Sequence, residues 1–87
     1  MELEITKMLT ISTAHITEET NRLLCDGEVE AAYYALDGGW LVLSYGPDES
    51  VPKDLEACLA LAEENGCEWL RLDRDGQIVD GLEVFDW

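Results

Sequence analysis

Positive charge is what this sequence has least of. Five lysines and arginines stand against twenty aspartates and glutamates in 87 residues, a formal net charge of -15. With only Lys7, Arg22, Lys53, Arg71 and Arg74 on offer, direct binding to nucleic-acid phosphate is disfavoured, because such binding needs a basic face. Histidine is scarcer still. His15 is the sole one, and Cys25, Cys58 and Cys67 share no repeated short spacing, so neither a metal site nor a disulfide framework is expected. No apolar run approaches the ~18 residues of a membrane span. The opening MELEITKMLT sets glutamates where a secretory leader needs positive charge. These absences point to a cytoplasmic chain with reduced thiols, no cofactor and no membrane partner.

What is present is apolar residue in quantity. Such residues make up 47% of the chain, which argues against disorder despite the charge. The acids are interleaved with Leu, Val, Ile, Trp and Tyr, so residues 1–87 read as one folded acidic domain with a single modest core. Its charge density approaches that of DNA. A compact chain of this length is about 30 Å across, and a duplex segment that long carries about 18 phosphate charges.

Apolar periodicity sketches the fold. Met8 to Thr13 alternates as a half-buried strand. Thr17 offers a helix cap with Glu18 and Glu19 in the first turn, and Gly27 a stop, giving a short helix over about residues 17–26. Val29–Leu36 and Trp40–Tyr45 flank Asp37-Gly38-Gly39, the pattern of a hairpin. Val51, Leu55, Cys58, Leu59 and Ala62 trace one face of a second helix over about 51–65, capped by Ser50 or Val51 and ended by Asn65-Gly66. Cys67–Leu72 reads as a strand, after which turns at 73–76 and 80–81 leave room for one or two short extra strands. The expected class is α+β: a single antiparallel-rich sheet in the order β-α-β-β-α-β, with both helices on one face.

No catalytic constellation emerges. Ser12, Thr13 and His15 stand together at a strand-to-helix junction, where such residues serve as turn and capping groups, and nothing orients a nucleophile. A calcium loop begun at Asp73 would need glycine sixth and glutamate twelfth, positions held by Ile78 and Val84. Cys58 and Cys67 fit core positions, and Cys25 at a helix C-terminus lacks the dipole that would activate its thiol.

Three runs carry a resemblance: Leu9-Thr10-Ile11-Ser12-Thr13-Ala14-His15-Ile16-Thr17, Gly38-Gly39-Trp40, and Gly66 to Gly76 with the closing Phe85-Asp86-Trp87. Across most of its length the chain resembles small uncharacterised acidic proteins carried on plasmids and phages. By size and acidity it is also similar to the anti-restriction and anti-CRISPR proteins that imitate DNA. The resemblance implies an inhibitor with no catalytic residues, acting on a basic nucleic-acid-binding partner such as a CRISPR surveillance complex.

In that reading carboxylates stand where phosphates sit. The expected acidic surface comprises Glu56, Glu63, Glu64 and Glu68 from the second helix and its exit, continued by Asp73, Asp75 and Asp80; Glu18, Glu19, Asp26, Glu28 and Glu30 form a second patch. The rival expectation is a regulatory or antitoxin-like module that binds a protein through an apolar patch and uses charge only for steering. Exposure of Trp40, Tyr45, Trp69 or Trp87 in a contiguous apolar patch would favour it.

Overall fold

The computed structural model describes residues 2–44 and 51–87. Its elements are β1 (Met8–Ser12), a 3-10 turn (Thr13–His15), α1 (Glu18–Cys25), β2 (Tyr33–Leu36), β3 (Gly39–Leu43), α2 (Lys53–Glu64) and β4 (Trp69–Asp73). Apart from the added 3-10 turn, this is the expected β-α-β-β-α-β succession in an α+β domain. The four strands lie in the order β1-β4-β3-β2. β1 runs parallel to β4, whereas β4–β3 and β3–β2 are antiparallel, so the sheet is mixed and antiparallel-rich.

Both helices begin and end for local reasons. The Thr17 hydroxyl accepts the Thr20 N–H at 3.0 Å, and Glu18 and Glu19 meet the positive end of the α1 dipole. Pro52 caps α2 without a side-chain hydrogen bond. Val51, expected inside the helix or at its cap, lies before it as a buried plug, because proline fixes the turn one residue later. Ser50 and Tyr45 fall outside the described residues. The first hairpin strand is shorter than the expected 29–36. Val29 turns inward to the core and Ala31 N–H bonds back to its carbonyl at 3.0 Å, which breaks the extended chain before Tyr33.

Strand alternation decides which side of the sheet is filled. Ile11, Trp40, Val42, Leu70 and Leu72 point toward the helices, where they meet Leu24 of α1 and Leu55, Cys58, Leu59 and Ala62 of α2 in one core. Burying each such leucine contributes about 1.5–3 kcal/mol. Tyr33 and Trp40 pack edge to face at 5.9 Å beneath α1, with the indole N–H bonded to Asn21 at 2.8 Å and the Tyr33 hydroxyl to the Leu24 carbonyl at 3.1 Å. Two glycines are required by close approach. A methyl group at Gly39 would overlap the Leu72 carbonyl, and one at Gly76 would lie 2.5 Å from the Ile11 carbonyl group.

The last fourteen residues correct the expectation of extra strands. Residues 74–87 contain no strand; single hydrogen bonds stitch them to the segment 12–16, and Val79 and Leu82 pack against the core. Ser12 N–H reaches the Gln77 carbonyl at 2.9 Å and Phe85 N–H the Ala14 carbonyl at 2.8 Å. The Trp87 indole N–H reaches the Ile16 carbonyl at 2.8 Å.

Candidate functional site

His15 holds the tail and is fully engaged in doing so. Its Nε2 accepts the Val79 N–H at 2.9 Å, which puts the ring proton on Nδ1, where it is donated to the Glu83 carbonyl at 2.8 Å. A cleft of about 430 Å³ opens beside it, lined also by Lys53, Asp54, Ala57, Leu82 and Phe85. Neither histidine nitrogen is left to act in that cleft as acid, base or ligand. Asp54 is also committed, accepting Thr17 N–H at 2.8 Å and the Thr20 hydroxyl at 2.9 Å, and so ties the starts of α1 and α2 together. Burial, with the Asp54 charge adding to it, pushes the Cys58 thiol up to about 12, far from the range of a reactive cysteine. Cys67 is buried and Cys25 exposed, all three being free thiols. Among the described residues no group of His, Cys, Asp and Glu is arranged to hold a metal ion.

The acids expected to form one surface are distributed over the domain. Glu56 and Glu63 lie exposed on one flank of α2, about 10 Å apart along its axis, with Glu64 about 100° further round. The outermost face of that helix carries exposed Glu64 together with Ala57, Ala60 and Lys53. Glu68 is half-buried, its carboxylate accepting the Lys7 N–H at 2.9 Å. Asp73, at the far end of β4 and about 17 Å away along the strand, pairs with Arg71 at 3.1 Å and accepts the Asp75 N–H at 3.0 Å. Asp75 and Asp80 are exposed in the tail. Glu68 and Asp73 thus stand at opposite ends of β4, while Glu56, Glu63 and Glu64 lie on α2 and Asp75 and Asp80 in the tail. In the second group, Glu18 and Glu19 start α1, while Asp26, Glu28 and Glu30 follow its end, about 12 Å on. Arg22 stands between the two sets, 3.5 Å from Glu19 and 3.2 Å from Asp26.

No described residue outside the sheet lies over Tyr34, Leu41 or Leu43 in the register of the side away from the helices, and that side is largely apolar. Register sets Met8, Trp69 and Leu43 in one row across it, and Thr10, Arg71, Leu41 and Tyr34 in the next. Leu36 and Gly39 follow in a third row with Asp73 and Ser12. Tyr34 and Trp69 meet above β3 with ring centroids 6.1 Å apart. Tyr34 is 61% exposed, Met8 48% and Leu36 37%, while Leu41, Leu43 and Trp69 are half-buried. Of the aromatic residues expected to discriminate, Trp69 belongs to this patch, Trp40 is buried, and Trp87 is exposed at the end of the clamped tail.

Tyr34, Leu36, Leu41, Leu43 and Met8 were not anticipated as functional residues. A signal for them existed in the run Trp40-Leu41-Val42-Leu43, apolar at every position. Antiparallel strands with one wet face normally alternate, and a continuous apolar run belongs to a strand covered on both sides.

A model described as the C-terminal domain of a family of unknown function, DUF5983, matches residues 8–87. The chain belongs to that family. The matched span runs from the start of β1 through the clamped tail, so the uncovered sheet face and His15 both lie within the family domain. No curated protein and no solved structure matches the chain. The family description names no activity and assigns no residue a role.

Proposed function

We propose that this domain is a non-enzymatic protein-binding module whose uncovered sheet face docks a basic protein, with the surrounding carboxylates steering the encounter. The observation that carries this reading is β3. Its sequence is that of a strand buried on both faces, yet among the described residues the helices cover only the side of Trp40 and Val42. Leaving Tyr34, Met8 and Leu36 in water is a cost that a partner would remove, and aromatic residues are enriched at the energetic centres of interfaces. A net charge of -15 raises the rate of collision with a basic surface without fixing the contact. Three free thiols suit a cytoplasmic setting.

The test is comparative capture from a lysate of the source cell with three baits. Wild type should retain a basic protein, Tyr34→Ser with Trp69→Ser should lose it, and Glu56→Gln, Glu63→Gln and Glu64→Gln together should retain it at a reduced rate. A second reading, an inhibitor that imitates DNA in the groove of a defence complex such as a CRISPR surveillance complex, draws support from exposed Glu56 and Glu63 on one flank of α2. It predicts the reverse pattern, together with competition against target DNA at low salt.

A further inference from the structure

We infer that the occupant of the uncovered sheet face is a single amphipathic helix of about three turns with basic flanks, presented by a partner protein. This inference rests on the reading of that face as a docking surface and specifies what fills it.

The size of the face limits the occupant first. Four strands span about 14 Å between the outermost pair, and five residues of strand run about 17 Å, a flat footprint of about 240 Å². A helix is about 10–12 Å across, and eleven or twelve residues at 1.5 Å each cover about 17 Å. The apolar surface has the matching shape. Leu43, Leu41, Tyr34 and Leu36 form a band along the β2–β3 hairpin, Trp69 and Met8 widen one end, and the Thr10–Arg71–Asp73 side of the face is polar.

Charge limits the occupant next. A second copy would bring another -15 against the first, so self-stacking on this face is opposed over its whole perimeter. Two acids flank the band, Glu30 leading into β2 and Asp37 in the hairpin turn, where the Arg74 side chain also lies; Glu68 and Asp73 are already engaged by the Lys7 N–H and by Arg71. Lysines or arginines on the flanks of a helix lying along the hairpin would meet Glu30 and Asp37, while its leucines would face Leu41 and Leu43. Nothing comparable favours an added strand, because the free edge beside this band, β2, is only four residues long.

Three synthetic peptides of about fourteen residues, built from the same leucines and lysines, separate the alternatives. In one the leucines recur at helical spacing, in the second they alternate as on a strand, and in the third they are scrambled. Each is titrated into the whole 87-residue protein at about 150 mM salt, where the screening length is about 8 Å. The expected result is that the helical pattern binds at least tenfold tighter than the scrambled one. It should shift the Trp69 indole and the Leu36, Leu41 and Leu43 methyl signals, leave the Trp40 indole unmoved, and weaken at least tenfold with Tyr34→Ser. Tighter binding by the strand pattern, with shifts on the same face, overturns the helix and leaves the docking surface standing. Equal binding by all three, with shifts confined to Glu56, Glu63 and Glu64, overturns both. Failure of every peptide to bind overturns the helix, and capture from lysate then decides the docking surface separately.

Discussion

Replacing His15 with leucine, which nearly preserves its volume while removing both ring nitrogens, should loosen the C-terminal tail without melting the sheet. The side chain is 2% exposed, and the two bonds it makes join Val79 and Glu83 to a residue more than sixty positions earlier. Stranding the Val79 N–H costs about 1–3 kcal/mol and losing the Glu83 bond about 1 more, so the tail should lose about 2–4 kcal/mol of docking energy. The three bonds that remain, from Ser12 to Gln77, Phe85 to Ala14 and Trp87 to Ile16, supply about 1.5–4.5 kcal/mol together. Val79 and Leu82 also stay packed against the core, so the tail remains docked on average while its local opening becomes more frequent. Hydrogen exchange reads it directly. Protection at the Val79 and Phe85 amides should fall roughly 30- to 700-fold, while the Val42 and Leu70 amides in the sheet change little. Protection at Phe85 within threefold of wild type would refute the view that His15 is the principal clamp.

Three further outcomes follow from other contacts. Asp54→Ala strands the Thr17 N–H and Thr20 hydroxyl and should cost about 1–3 kcal/mol in urea unfolding, with Asp54→Asn milder because one acceptor oxygen survives. Cys58 has a folded-state value near 12, above that of an unfolded thiol, so the native state holds the proton more tightly; the resulting stability is complete below the unfolded value and is lost as pH rises toward 12. The stability gap between wild type and Cys58→Ala should accordingly narrow between pH about 8 and pH about 10.5. Gly39→Ala drives a methyl group into the Leu72 carbonyl and separates β3 from β4, so a loss of about 3 kcal/mol or more in thermal or chemical unfolding is expected.

The parts of this fold that were legible in the sequence are those governed by short-range periodicity. Thr17 with Glu18 and Glu19 announces α1, and the spacing of Leu55, Cys58, Leu59 and Ala62 announces α2, because caps and apolar stripes act within one or two turns. The shortened β2 was not legible, since Val29 is as good a strand residue as any and only the core beneath it draws it out of the strand. The tail was opaque for a different reason. Its order comes from single bonds between residues 77–87 and 12–16 and from Val79 and Leu82 against the core, which leave no local pattern. Sequence order puts Glu68 and Asp73 close together, while strand geometry carries them to opposite ends of β4 and internal partners occupy both. The uncovered face was present all along in the unbroken apolar run of β3, a pattern whose meaning depends on knowing which side the helices cover.

The most direct test of the docking account is the binding kinetics of three proteins against a partner retained from lysate: wild type, Tyr34→Ser with Trp69→Ser, and Glu56→Gln with Glu63→Gln and Glu64→Gln. Truncating two aromatic anchors worth about 2 kcal/mol each should accelerate dissociation roughly 1,000-fold with little change in association. Neutralising the α2 carboxylates should slow association by about tenfold at low salt and leave dissociation nearly unchanged. The opposite assignment, with dissociation controlled by the α2 carboxylates and indifferent to Tyr34 and Trp69, would contradict the account.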